Sequence, residues 1–544
     1  MADLKKQAPP EGSADATSGA DPATGIPSGS PLVADPGARA QSGSSGPHSL
    51  AAAPAGHRQP EATGGNPLAA KLKLRLDEDQ LTNCMRCGFC LPACPTFRET
   101  GIEAESPRGR IALMKAVADG LMEPDAAFEE QMNHCLGCRA CEPACPADVK
   151  YGRLIEQARD AIEDHTDSHR RWVKAVRRAV FRSIFPHQRR MRLVGSALRL
   201  YQRSGLRQLA RGSGMLKLLP EHLAAMEQVL PEASSKGVAE RIGVRHPAKG
   251  ERIATVGLFR GCMMDVLFTE TNIHTVDLLT EAGFEVVIPT GQNCCGALHA
   301  HSGEAAGARE LAIGNIEAFR EAGVDYIVSN AGGCGAIMTE YGHLLHEDGT
   351  WSEEASRFAQ RVIDVGELLV RFGRELPFST EAAFPEAAAS GDAASTGTRI
   401  NGHPPYEGTM RCERMHDGGN DEGCGTSKLR VTYQDSCHLR NVMRTPGAPR
   451  RLIRRVDGVE FVEMAEADRC CGSAGIYNLT QPEMAGQLLA HKMEHANATG
   501  AQVLLTSNPG CLLQMKLGVL KHGRADMQVM HVVDFLHRHR SSDS

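Results

Sequence analysis

Asn293-Cys294-Cys295-Gly296-Ala297 returns further along the chain as Arg469-Cys470-Cys471-Gly472-Ser473, and this doubled Cys-Cys-Gly turn decides the architecture. Working outward, each pair has a cysteine before it, in Gly261-Cys262 and Ser436-Cys437, and another after it, in Gly333-Cys334-Gly335 and Gly510-Cys511-Leu512. The first interval is 31 residues in one copy and 32 in the other, and the second is 38 and 39. Such agreement over two intervals marks an internal repeat, and a repeat fixes the architecture before local propensity is consulted.

The cysteines follow short β-branched runs. These are Ile253-Ala254-Thr255-Val256, Glu285-Val286-Val287-Ile288 and Tyr326-Ile327-Val328 in the first copy, and Val431-Thr432-Tyr433, Phe461-Val462 and Val503-Leu504-Leu505 in the second. Helical patterns separate them, as over residues 272–282 and 482–499. Strand, helix, strand at this spacing predicts right-handed βαβ units and a parallel sheet. Ligand groups on such sheets gather outside the carboxyl ends of the strands, so the four thiols of each copy are expected to converge.

The remainder of the 544 residues divides by composition. Residues 1–67 are rich in Ala, Gly, Pro and Ser with almost no large apolar side chains, and are read as a disordered tail. A Cys-rich helical segment spans 68–165 and a basic helical connector 166–250. The first Cys-Cys-Gly domain then covers 251–385, a low-complexity insertion 386–428, and the second Cys-Cys-Gly domain 429–544. A net charge of −6 argues against a polyanion binder, so nucleic acid is not an expected partner. The start of the chain lacks the pattern of a signal or transit peptide, and no run of 18 apolar residues follows. A cytoplasmic protein is expected, with peripheral contact at the inner membrane as a further candidate. In that compartment the 18 cysteines are read as ligands or reactive thiols rather than as disulfides.

Within the helical segment, Cys84-Met85-Arg86-Cys87-Gly88-Phe89-Cys90-Leu91-Pro92-Ala93-Cys94-Pro95 is followed by Cys135-Leu136-Gly137-Cys138-Arg139-Ala140-Cys141-Glu142-Pro143-Ala144-Cys145-Pro146. Both are C-x2-C-x2-C-x3-C-P, the bacterial ferredoxin pattern for a pair of [4Fe-4S] clusters, in which the fourth cysteine of each run serves the other cluster. One cluster is thus assigned to Cys84, Cys87, Cys90 and Cys145, the other to Cys94, Cys135, Cys138 and Cys141. Structural zinc also uses four thiolates and C-x2-C pairs, but does not call for a third cysteine at the same short interval followed by Cys-Pro.

With these motifs in view, the chain resembles the iron–sulfur subunit of glycolate oxidase, also called glycolate dehydrogenase. The resemblance runs from about Leu81 onward, the insertion excepted. It rests on both ferredoxin runs, Pro107-Arg108-Gly109-Arg110-Ile111, Gly261-Cys262, Cys294-Cys295-Gly296-Ala297, Gly333-Cys334-Gly335-Ala336 with Glu340-Tyr341-Gly342, and Cys470-Cys471-Gly472-Ser473-Ala474-Gly475-Ile476-Tyr477. The doubled Cys-Cys-Gly domain by itself also resembles heterodisulfide reductase, anaerobic glycerol-3-phosphate dehydrogenase and lactate-utilisation subunits. What the resemblance implies is an electron-transfer role. A separate FAD-binding 2-hydroxy-acid oxidase subunit would oxidise glycolate to glyoxylate, and this chain would pass the electrons toward a quinone-type acceptor. The alternatives are the same role in a lactate, glycerol-3-phosphate or heterodisulfide-reductase-like enzyme, and a zinc-stabilised scaffold without redox function. No G-x-G-x-x-G fingerprint occurs here, and no residue is assigned a catalytic role.

The expected fold is multi-domain α and α/β: a helical two-cluster ferredoxin-type domain, then two repeated α/β Cys-rich domains, with a disordered N-terminal tail. Cys262, Cys294, Cys295, Cys334, Cys437, Cys470, Cys471 and Cys511 are candidate ligands of a further cluster or metal, or else small residues packed at tight turns. The heterodisulfide reductase pattern ends each copy in C-x-x-C, where this chain has Ile337 and Gln514. From Arg170 to Arg211 there are 13 Lys and Arg and no Asp or Glu. Trp172, Val173, Val176, Val180, Phe181, Ile184 and Phe185 stand among them at roughly helical spacing, read either as an anionic-membrane helix or as a connector. Arg108 and Arg110 are read as surface arginines, with a role at a cluster or partner as the alternative. His299, His301 and His438 are read as surface or satisfied core, and Cys412, His416 and Cys424 as flexible groups of the insertion.

Overall fold

The computed structural model describes residues 66–165, 171–380, 428–524 and 526–541. The expected tail and insertion, with Cys412, His416 and Cys424, fall almost wholly outside the described residues.

The Cys-rich segment folds as helices Pro67–Arg75, Glu78–Asn83, Pro95–Thr100, Pro107–Ala118, Ala126–Asn133 and Tyr151–His165. Their starts follow local chemistry. Asn66, Asp77, Ser106 and Asp125 each accept a backbone N–H of the first turn at 2.9–3.1 Å, and Pro67, Pro95 and Pro107 stand in the first turn, where a missing N–H costs nothing. The long helix buries Leu154, Ile155, Ala158, Ala161 and Ile162 against Leu68, Leu72, Met114, Phe128 and Met132. Both cysteine runs lie on the irregular chain between helices.

The first Cys-Cys-Gly copy contains Arg245–His246 (β1), Ala254–Phe259 (β2), Phe284–Val287 (β3), Tyr326–Ser329 (β4) and Val362–Asp364 (β5), in sheet order β1-β3-β2-β4-β5. All pairings are parallel except that of β1 with β3. After Phe378–Ser379 (β6), the second copy contains Leu429–Tyr433 (β7), Val459–Phe461 (β9), Val503–Thr506 (β10) and Gln528–His531 (β11), in order β11-β10-β7-β9 and entirely parallel. Between β7 and β9, Val456–Asp457 (β8) pairs with β6 and stitches the copies together. Apart from β1, the two sheets wind identically, with the first strand of each copy beside its third. That neighbour pair is the switch point at which open α/β sheets bind ligands.

Two findings go beyond the sequence reading. The fourth strands, β5 and β11, were not predicted. They are three and four residues long with only two apolar residues each, Val362 and Ile363 in one and Val529 and Met530 in the other, and they run directly into helices Val365–Arg371 and Val532–Arg538. Likewise β1, at the end of the expected connector, is an edge strand of the first sheet. One apolar core crosses both copies, from Val256, Leu258 and Val286 to Val431, Tyr433, Leu505 and Phe535.

The basic stretch forms Arg171–Arg178, a π-helical turn Ala179–Ile184, then Gln188–Arg203, Leu206–Gly212 and Glu221–Val229. Its apolar residues do not share one face. Trp172 and Val176 are exposed, whereas Phe181 is buried edge-on against His299, with ring centroids 5.1 Å apart. Among the described residues no helix is long and apolar enough to cross a membrane.

Candidate metal centres

Cys94, Cys135, Cys138 and Cys141 come together from both runs and line one narrow pocket, with Pro95, Leu136, Arg110 and Tyr151 in its wall. Cys94 reaches it because Cys94-Pro95 turns into helix Pro95–Thr100 at that point. On the other side, Cys84, Cys90 and Cys145 pack half-buried against the same apolar cluster, and Cys87 is exposed. The two groups abut, since Cys90 has both Cys84 and Cys94 as electrostatic neighbours.

The backbone around the middle cysteine of each run is unusual. Arg86 and Gly88 flank Cys87 at φ 56° and 91°, and Gly137 and Arg139 flank Cys138 at φ 67° and 59°. Left-handed residues on both sides curl the chain so that successive amides face one concavity, a cradle for an anionic group. The two arginines accept a conformation that L-residues rarely adopt, at a cost of roughly 1–3 kcal/mol each. Gly137 N–H donates to Cys135 Sγ at 3.3 Å and the Tyr151 hydroxyl approaches the same sulfur at 3.6 Å.

Arg110, expected at the surface, is fully buried. Its guanidinium donates to the Gln131 carbonyl at 2.8 Å and pairs with Glu105 at 3.3 Å, and Glu105 also meets His134 at 2.7 Å. Burial pushes the Cys135 thiol up, but Arg110 and Arg159, with the two sulfur-directed hydrogen bonds, outweigh it and hold the pKa below the ordinary thiol value. Burial leaves Cys138 and Cys141 well above that value. Arg108 behaves as expected, paired with Glu103 at 2.7 Å on the surface, although it also donates to the Arg86 carbonyl at 3.0 Å.

The Cys-Cys-Gly thiols converge within each copy. In the first, Cys262 Sγ lies 3.6 Å from Cys294 Sγ, and contacts continue through Cys295 to Cys334. In the second, the chain runs Cys437, Cys470, Cys471, Cys511. Within each copy, the outer cysteines follow the two strands at the switch point. Gly296 and Gly472 hold the left-handed backbone at φ 86° and 85°, and Gly472 lies so close to the Ala485 carbonyl that a Cβ would not fit without a shift.

Both candidate sets fit iron–sulfur chemistry: soft thiolate donors, dry apolar walls and N–H groups aimed at sulfur. Among the described residues no three His, Cys, Asp or Glu side chains close on a single ion. A four-iron cube gives each thiolate its own iron, so its ligands surround a cavity rather than meet at a point.

Several contributors were missed by the sequence reading. Arg139, nearly buried, makes two 2.9 Å hydrogen bonds to Glu142 and a close one to Glu340 of the first copy, fastening the ferredoxin-type segment to it. Glu340 stood in a quoted motif, but nothing in the sequence paired it with Arg139. His301 meets Glu156 at 2.7 Å, and its ring lies tilted by 40° to that of His438 with centroids 5.1 Å apart; the buried Nε2 of His438 has no partner among the described residues. His301 and His438, read as surface or satisfied core, thus lie together at the junction of three segments, whereas His299 is buried against Phe181.

A helical body with paired ferredoxin-type runs, followed by two α/β bodies each gathering four thiols, defines an iron–sulfur electron-transfer protein. Family models agree: a 4Fe-4S dicluster domain matches residues 80–149, the linker region of the glycolate oxidase iron–sulfur subunit matches 172–230, and a cysteine-rich domain matches 256–339 and 431–516. The probable glycolate oxidase iron–sulfur subunit of Bacillus subtilis (strain 168) is 47% identical over 469 residues, covering 86% of this chain and 95% of that protein. The glycolate oxidase iron–sulfur subunit of Escherichia coli (strain K12) is 28% identical over 437 residues, 79% and 88% of the two chains. Lactate utilization protein A of Oceanobacillus iheyensis is 27% identical over 285 residues, 52% of this chain and 97% of that protein. The chain belongs to the glycolate oxidase iron–sulfur subunit family.

Proposed function

We propose that this chain relays electrons, one at a time, from an FAD-bearing partner that oxidises glycolate to glyoxylate toward a quinone-type acceptor. Cys84, Cys87, Cys90 and Cys145 would hold one [4Fe-4S] cluster, and Cys94, Cys135, Cys138 and Cys141 the other. When bound, such clusters supply reversible one-electron steps whose potentials follow burial, charge and hydrogen bonds to sulfur.

The observation that carries this reading is the abutment of an exposed thiol group on a buried one. Cys87 sits at the surface between Met85 and Phe89, 66% and 64% exposed, an apolar rim suited to a docking partner. Behind it, Arg110 and Arg159 place two fixed cations beside Cys135. Positive charge favours the reduced, more negative state, so these residues raise the potential of the inner site and favour inward flow.

The acceptor side is assigned to the basic stretch. Leu193, Leu200, Leu206, Leu209 and Leu218 are 51–85% exposed there among the arginines, which suits peripheral docking at the anionic inner face of the cytoplasmic membrane. A lactate donor is the second reading, favoured by the match to lactate utilization proteins over the shared half of the chain.

Reconstitution with the flavin partner tests the donor. Glycolate should bleach the visible cluster absorbance within the turnover time, and lactate or glycerol 3-phosphate should not; the reverse order would move the assignment to the second substrate. Anaerobically purified protein should hold at least about eight irons per chain, the content of two four-iron clusters. Zinc in place of iron would end the relay reading.

A further inference from the structure

The two Cys-Cys-Gly copies share a frame but not their neighbours. Cys138 of the inner ferredoxin-type site belongs to the same buried apolar cluster as Cys437, Cys470 and Tyr477 of the second copy. Asn441, on the short helix that starts at Cys437, donates to the Cys138 carbonyl at 2.9 Å. Tyr477 donates to the His134 carbonyl at 3.1 Å, just before Cys135. The thiols are electrostatic neighbours as well: Cys437 acts on Cys138, and Cys138 on Cys470. By contrast, the apolar cluster around the first copy's thiols takes in no residue before Ile184.

The linings differ in charge. Aligned on the Gly323 and Gly500 turns, Asn315 of the first copy corresponds to Lys492 of the second. Asn315 is neutral and braces its pair by donating to the Cys294 carbonyl at 2.9 Å. Lys492 is 2% exposed, and its ammonium donates only to the carbonyls of Glu466 at 2.6 Å and Ala467 at 3.4 Å. Burial pulls the Lys492 ammonium below its ordinary pKa, and Cys471 and Cys470 lead the neighbours that oppose that pull, ahead of Asp468 and Asp435. A buried ammonium without an ion pair is expensive, and thiolates carrying an anionic group supply the missing counter-charge. Asn508 adds a donor 3.7 Å from Cys511 Sγ where the first copy has Ala331.

We propose that Cys437, Cys470, Cys471 and Cys511 hold a further redox-active iron–sulfur group that takes electrons from the Cys94, Cys135, Cys138 and Cys141 site, while the first copy's thiols lie off this route. The inference rests on the relay reading above. In each step one electron leaves the inner ferredoxin-type site, which is oxidised by one, and enters the second-copy site, which is reduced by one; no bond forms or breaks. The site continues outward to the basic stretch, because Ala225 and Met226 of helix Glu221–Val229 pack in the cluster that contains Cys471 and Cys511. The same helix lines, with Arg211, Leu216 and Leu219, an open surface groove.

The test uses the full chain, purified anaerobically, as wild type, Cys437→Ser, Cys262→Ser and Lys492→Met. Wild type should hold more iron and acid-labile sulfide than the roughly eight of a ferredoxin-type pair. Cys437→Ser should lose the excess, together with the extra magnetic broadening of the reduced ferredoxin-type signals in electron paramagnetic resonance, and Cys262→Ser should keep that broadening. If Cys437→Ser does not accumulate, Lys492→Met decides: iron retained, with the midpoint of the additional centre shifted to lower potential. Wild type at about eight irons, broadening that survives Cys437→Ser, broadening lost in Cys262→Ser, or a midpoint unmoved in Lys492→Met would each overturn the proposal. Failure of the relay reading looks different, with ferredoxin-type signals missing from every form of the protein.

Discussion

Replacing Arg139 with Leu removes the cation that joins the ferredoxin-type segment to the first Cys-Cys-Gly copy. Its two bonds to Glu142 and its contact with Glu340 are made where the Arg139, Glu142 and Glu340 side chains are 6%, 7% and 18% exposed. Breaking a buried pair by deleting one partner costs roughly 3–5 kcal/mol, because the charge left behind is neither solvated nor paired. Here two carboxylates are left, although Glu142 keeps the Gly152 N–H at 2.7 Å, so about 4 kcal/mol is a reasonable middle value. At a urea dependence of about 2 kcal/mol per molar, the midpoint should fall by about 2 M. Cluster bleaching in the visible and ellipticity at 222 nm, followed together in anaerobic urea titrations, report whether the ferredoxin-type segment lets go first, as the position of Arg139 requires. Arg108→Leu is the control, since its pair with Glu103 is solvent-screened and its loss should leave the midpoint nearly unmoved. Equal midpoint shifts for the two variants, or a shift under about 0.5 M for Arg139→Leu, would mean that this cation does not hold the two segments together.

Other expectations follow from the same geometry. Burial raises the Asp364 carboxyl to about 7. The folded protein therefore keeps a proton that the unfolded chain has released, and this contribution, full below about pH 4, is lost as pH rises toward 7. Asp364→Asn keeps the acceptor for Gly366 N–H and should flatten that loss, gaining roughly 2–4 kcal/mol over wild type near pH 8 at 1.36 kcal/mol per unit; a parallel pair of stability–pH curves would contradict it. Cys94→Ser should perturb the paramagnetic signal of the buried centre rather than that of its own run, and a loss confined to the exposed centre would reverse the pairing. Charge neutralisation of Arg182, Arg189, Arg190 and Arg199 should abolish flotation with anionic vesicles, and equal binding of wild type to neutral vesicles would remove the membrane assignment.

The parts of the site that were legible in the sequence are those that recur at fixed spacing. The repeat gave the strands that precede each cysteine, and the polarity of a parallel sheet then required the thiols to meet. What escaped depends on partners hundreds of residues away. Arg110 looks like a surface arginine because an Arg-x-Arg pair is usually exposed, yet Glu105 and the Gln131 carbonyl satisfy it in the interior. Arg139 and Glu340 are 201 residues apart, and only the docking of two segments makes them a pair. Strands β5 and β11 were hidden by brevity, since two apolar residues leading into a helix have no period of their own.

Duplication makes the asymmetry between the copies informative. Two descendants of one ancestral unit began with the same strands, the same tight Cys-Cys-Gly turn and the same neighbours for each thiol, so differences in their linings reflect what each copy faces. The first faces the connector and meets its Cys pair with the neutral Asn315. The second faces Cys138, has the buried Lys492 where the first has Asn315, and directs the Asn508 amide at Cys511. An ammonium buried among apolar side chains gains nothing for packing that Met would not give at lower cost, because Met fills the same volume without desolvating a charge. Both copies contact the ferredoxin-type segment, the first through Glu340 on Arg139 and the second through the cluster that holds Cys138; the charge stands in the copy whose thiols share that buried cluster, which ties it to the proposed electron route.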